Sequence, residues 1–110
     1  MTLEEMKDMA VAELSTELSK DQDYDESVLE AKVNHAIHEI KVARKYPSAY
    51  TQEMIDRDME NYYSNVCKIA LYDYNQVGVD FQTGHNENGV SRTYSDRDKL
   101  FYGIIPIAIL

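Results

Sequence analysis

Apolar residues recur at steps of three and four through most of residues 3–76, and little interrupts them. The chain has only two Pro and four Gly. Such spacing marks helices that each bury one face. The scarcity of breakers predicts that they are long. Thr2-Leu-Glu-Glu5 reads as a capping box, in which the Thr2 hydroxyl accepts from the third helical N–H and Glu5 reaches back. Leu3, Met6, Ala10, Leu14 and Leu18 then line one face, which predicts a helix over about residues 3–19. Asp25 caps a second helix with the stripe Val28, Leu29, Val33, Ala36, Ile37, Ile40 and Ala43. Its last turns carry Lys41, Arg44 and Lys45, where cations favour the negative end of the helix dipole. Tyr46-Pro47 stops it. Ser48 or Thr51 caps a third, with Ile55, Met59, Tyr62 or Tyr63, Val66, Ala70 and Tyr74 on its stripe. That helix is predicted to end near Gln76, with Gly78 as its stop. Three such helices with short links predict an all-α antiparallel bundle over 3–77.

The period changes after Gly78. Val79, Phe81 and Thr83 alternate with Asp80 and Gln82, and Asn88-Gly89 is a strong turn signal. A small hairpin or loop over 79–94, projecting from the bundle, is expected, with Val90–Tyr94 as its return strand. Ser95-Asp-Arg-Asp98 resembles a helix start, and Asp96–Tyr102 suffices for about two turns. The chain closes on an apolar tail, Ile104-Ile-Pro-Ile-Ala-Ile-Leu110. At 110 residues this is one domain: bundle, loop, then short helix and tail over 95–110.

Charge narrows the function classes. Twenty acids against eleven Lys and Arg give a net charge of −9. Residues 1–30 hold ten acids against Lys7 and Lys20, a balance of −8, so the other eighty residues carry only −1. Phosphate contacts need Lys and Arg, so sequence-specific DNA binding through the first third is not expected. The N-terminus MTLEEMKDMA has acids where a signal peptide needs a basic start and an apolar run. No apolar stretch approaches the ~20 residues that span a membrane. The single Cys67 cannot form an internal disulfide and fits a reducing compartment.

Candidate chemistry is sparse. Asp21-Gln-Asp23-Tyr-Asp25 opens like a calcium loop, but Glu26 stands where Gly is needed and Lys32 where Glu is needed. His35 and His38 lie three apart with Glu39 beside them, yet a zinc site needs three or four ligands and none is evident. A bundle di-iron site would want Glu-x-x-His twice, which is missing. Cys67 sits beside the apolar face of the third helix and reads as a small buried hydrophobe. The glycines (Gly78, Gly84, Gly89 and Gly103) fit no phosphate-binding loop, and no Ser sits in a nucleophile elbow. An enzyme is not expected, and neither is a cofactor or a metal.

Two features point outward. Nine Tyr against two Phe and no Trp is unusual, and Tyr62, Tyr63, Tyr72 and Tyr74 crowd the third helix. Tyr suits surfaces that are alternately wet and covered, or the rim of a small core. The tail would leave an apolar patch if free. It reads as an arm that covers a neighbouring chain by strand addition or groove insertion, with docking on its own bundle as the alternative. Pro106 removes one ladder hydrogen bond from any strand formed there.

The layout resembles the phage head–tail connector, or head-completion adaptor, proteins, which are also labelled DNA-packaging proteins. The resemblance rests on Glu87-Asn-Gly-Val-Ser-Arg-Thr-Tyr94, a pattern of Glu87, Gly89, Ser91 and Tyr94, followed by a short helix and Ile105-Pro106. The order of elements extends it over nearly the whole chain. It implies a structural, non-enzymatic role: a ring, usually twelve-fold, beneath the portal of a DNA-filled head. The ring would extend the DNA channel and offer a docking face for a stopper or tail protein. The location implied is the virion head–tail junction, with the host cytoplasm during assembly. Interface residues expected on this basis are Tyr62, Tyr63, Glu87, Gly89, Ser91, Arg92, Tyr94, Ile104, Ile105, Pro106, Ile107, Ile109 and Leu110. Glu4, Glu5 and Asp8 would then line the channel and repel phosphate, so that DNA passes without specific binding. The alternative is a small acidic helical adaptor or regulator, such as a DNA mimic, that binds a host or phage protein in the cytoplasm.

Overall fold

The computed structural model describes residues 1–20, 23–81 and 97–107, with the backbone alone for 77–81. The described chain is all-helical: α1 Leu3–Leu18, α2 Glu26–Arg44, α3 Gln52–Met59, a 3-10 turn Glu60–Tyr62, and α4 Tyr63–Phe81. No strand occurs among the described residues.

The caps form where local chemistry places them. Thr2 accepts from the Glu5 N–H, and the Glu5 carboxylate accepts from the Thr2 N–H, completing the capping box. Asp25 accepts from the N–H groups of Ser27 and Val28 and from the Ser27 hydroxyl. Thr51 caps α3 by accepting from Met54. The α2 helix ends two residues before Pro47, at Lys45, whose φ of 52° is left-handed. The Lys45 N–H there donates to the carbonyls of Lys41 and Val42 and satisfies the last turn.

One core joins the helices. Met6, Ala10, Leu14 and Leu18 of α1 meet Leu29, Val33, Ala36, Ile37 and Ile40 of α2, with Val66, Ile69 and Ala70 of α4 and Met59 of α3. The α2 helix packs against both α1 and α4, and α1 also touches α4. A Lys7–Glu30 bridge at 3.1 Å ties α1 to α2. The Tyr74 hydroxyl accepts from the Asp25 N–H and ties α4 to the start of α2.

Three expectations need correction. The third helix is not continuous: it breaks at the 3-10 turn Glu60–Tyr62. At its end the adjacent tyrosines have different partners, Tyr62 beneath Arg44 of α2 and Tyr63 against Glu13 of α1. Gly78 is not a stop. The α4 backbone passes through it to Phe81, because Gly inside a helix costs only about 1 kcal/mol. Residues 79–81, expected to open a hairpin, are therefore helical, and 82–94 lie outside the described residues. Of the short C-terminal helix, the described residues hold 97–99. It continues as i to i+3 turns, in which Leu100, Phe101 and Tyr102 donate to Arg97, Asp98 and Lys99.

The hydrogen bond from the Ser27 hydroxyl, then that from the Val28 N–H, holds the Asp25 carboxyl below its ordinary pKa. A depressed carboxyl stabilises the fold above its unfolded pKa and loses that effect as pH falls through the folded value. Thermal melts across pH should therefore show Asp25→Ala less stable than the parent at neutral pH. The gap should close below about pH 4. A gap that stays constant into acid would contradict the charged cap.

Candidate functional site

Two arginines fix the C-terminal segment to the helices. Arg44, on the last turn of α2, makes a two-pronged pair with Asp58 of α3 at 2.9 and 3.0 Å. The Tyr46 hydroxyl donates to the same carboxylate at 2.7 Å. Arg44 Nη1 also donates to the carbonyl of Ile105 at 2.8 Å, and the Ile107 N–H donates to the Arg44 carbonyl at 2.8 Å. The guanidinium carbon lies 5.2 Å from the centre of the Tyr62 ring. Burial, then the Asp58 hydrogen bond, pushes the Tyr46 phenol far above its usual range.

The second arginine lies between two carboxylates. Arg97 donates to both oxygens of Asp73 on α4 at 2.7 and 2.8 Å, and to both oxygens of Glu39 on α2. Its guanidinium carbon is 5.4 Å from the Phe101 ring centre. All three side chains are largely sheltered, at 21%, 26% and 14% exposure for Arg97, Glu39 and Asp73. The bonds to Asp73, then those to Glu39, hold the guanidinium proton more firmly than usual. His35 Nδ1 stands 3.3 Å from Glu39. His35, Glu39 and Asp73 have the donor set and spacing of a metal triad. Arg97 already bonds both carboxylates, so they are matched to a cation supplied by the chain itself.

Between the two clamps sits Ile104, 8% exposed and part of the core. Gly103, at φ 88°, makes the bend that delivers it. Asn65 of α4 donates to the Leu100 carbonyl at 2.9 Å and secures the same segment. On the other side of the bundle, the Tyr63 hydroxyl donates to Glu13, and Cys67 lies 3.8 Å from the same carboxylate. Burial, then the Glu13 bond, pushes the Tyr63 phenol far up, and burial also raises the Cys67 thiol, which leaves it a poor nucleophile.

The residues singled out from the sequence fall in several places. Tyr62 and Tyr63 are half-buried and engaged within the chain. Ile104 is in the core, Ile105 and Pro106 are exposed, and Ile107 is half-buried. Glu4, Glu5 and Asp8 are exposed on α1, with Lys7 bonded to Glu4 at 3.1 Å. Glu87, Gly89, Ser91, Arg92, Tyr94, Ile109 and Leu110 lie outside the described residues. His35 and His38 are both exposed, and His38 borders a shallow groove with Leu3, Asn34, Ile37 and Lys41. The clamp residues Asp58, Asp73 and Arg97 were missed. Their partners are distant in sequence, and a lone Asp or Arg on a helix carries no local signal.

No protein-family model matches the chain, and neither a curated protein nor a solved structure matches it. No described helix is long and apolar enough to cross a membrane.

Removing the Arg97 guanidinium leaves two sheltered carboxylates without a counter-charge. Arg97→Met should cost about 2–3 kcal/mol, a fall in Tm of about 4–8 °C per kcal/mol for a chain this size. Ile104→Ala should cost about 2–4 kcal/mol through the cavity it leaves. Denaturant melts check both, and values near zero would mean that the C-terminal segment does not hold the bundle.

Proposed function

We propose that this chain is a structural, non-enzymatic phage head–tail connector subunit. It would form a ring below the portal, extend the DNA channel and present a docking face to a stopper or tail protein. The observation that carries the reading is the stretch Glu87-Asn-Gly-Val-Ser-Arg-Thr-Tyr94 followed by Ile105-Pro106. It is carried on an all-helical chain whose C-terminal segment returns to the helices. In this reading α1, α2 and α4 form an antiparallel three-helix bundle, with α3 leading into α4. Ile105 and Pro106, exposed beside Arg44, are available to the portal or to a neighbour.

The acidic balance supports a channel component over a nucleic-acid binder, since a chain at −9 repels phosphate. Assembly would place it at the virion head–tail junction, reached from the host cytoplasm.

Co-expression with the portal protein of the same locus, followed by electron microscopy, tests this. A second ring stacked coaxially on the portal is the expected result. Bare portal rings, with this protein left in the soluble fraction, would overturn the reading in favour of an acidic cytoplasmic adaptor.

A further inference from the structure

A closed ring of identical chains needs two different adhesive faces on each subunit. Among the described residues, three of those expected at an interface are engaged inside the chain. Tyr62 lies under Arg44, Tyr63 bonds Glu13, and Ile104 is in the core. Two other faces stay open.

The first is on α2. Val42 is 59% exposed, an aliphatic side chain left in water. Around it at i−4, i−1 and i+3 stand His38, Lys41 and Lys45. In a chain with twenty acids, Lys41 and Lys45 form no ion pair among the described residues. Glu39 is turned to Arg97, and Glu4 of α1 lines the same groove as His38 and Lys41 without forming an ion pair to either. The second face is on α1. Met9 is 43% exposed, and Glu5, Asp8 and Ala12, all exposed, stand around it at the same i−4, i−1 and i+3. Each face is an exposed apolar centre with like charges on one side, Lys7 standing 3.9 Å from Asp8 at the edge of the second, and the two signs are opposite.

The two apolar centres, Met9 and Val42, cannot meet within one chain. The Lys7–Glu30 bridge sets the second turn of α1 beside Glu30. Val42 is twelve residues further along α2, about 18 Å at the helical rise. One subunit can thus use both faces at once, each on a different neighbour.

We infer that the Met9 face of one copy binds the Val42 face of the next, head to tail. The inference rests on the ring proposed above and makes Glu5 and Asp8 intersubunit groups rather than channel groups. The charge pairs would set register and exclude like faces, and Met9 against Val42 would supply the dry centre.

Amide NMR spectra recorded up to millimolar concentration test the contact. The samples are the parent chain, the doubly substituted Lys41→Glu/Lys45→Glu, the doubly substituted Asp8→Lys/Ala12→Lys, and an equimolar mixture of the two variants. Neither variant removes a capping side chain, and circular dichroism confirms each fold. The parent should show concentration-dependent shifts around Met9 and Val42. Each variant alone should associate at least about tenfold more weakly, since its two faces now carry like charge. The mixture should recover association, because one reversed face then meets the other. Absent shifts in the parent, or variants that associate as the parent does, would overturn the inference. Both variants also go into the portal co-expression. Complete rings from each variant alone would sink this contact and leave the connector reading standing. Failure of the parent to join the portal, with recovery in the mixture, would sink the connector reading and leave the contact.

Discussion

The α2 stripe has to be covered from two sides, and the other elements are arranged around that need. Leu29, Val33, Ala36, Ile37 and Ile40 form a band too wide for one neighbouring helix, so α1 takes one flank and α4 the other. Each helix alone would be marginal in water. Together they give one continuous core, with Met59 closing it from α3 and Ile104 from the C-terminal segment. Large-to-small changes along α2 would therefore loosen both seams at once.

Polar chemistry then decides how the irregular parts lie on that core. Hydrophobic burial is non-directional and would tolerate several placements of a segment such as 97–107. The guanidinium of Arg97 has a fixed fork that matches two carboxylates, and that of Arg44 matches one carboxylate and one backbone carbonyl. These geometries select one placement. The same matching accounts for a His, Glu and Asp grouping that resembles a metal triad, since Arg97 already bonds both of its carboxylates.

Much of the helical pattern was legible because its causes are local. Thr2, Glu5, Asp25 and Thr51 cap through neighbours two or three residues away, and the α1 and α2 stripes follow simple periodicity. The 3-10 break at Glu60–Tyr62 was not legible. A continuous helix satisfies the same periodicity, and the contacts of Tyr62 and Tyr63 beside the break are with Arg44 and Glu13, far off in the chain. Gly78 misled because its tolerance inside a helix is set by the surrounding helix rather than by its own preference. Of the residues that anchor the C-terminal segment, only Ile104 stood out in sequence, as part of an apolar run. The clamps pair residues 14 to 61 positions apart.

The placement of Ile104 has a consequence for how the chain comes into being. Residues 97–107 leave the ribosome after every helix that they cover. The helices can collapse as they emerge, because most of their contacts are close in sequence. Until the segment arrives, the site that Ile104 fills lies open, and Asp73 and Glu39 face each other without Arg97. The newborn chain thus passes through an interval in which its fold is formed but its seal is absent. That interval is when a chaperone or another copy has access to the same apolar opening.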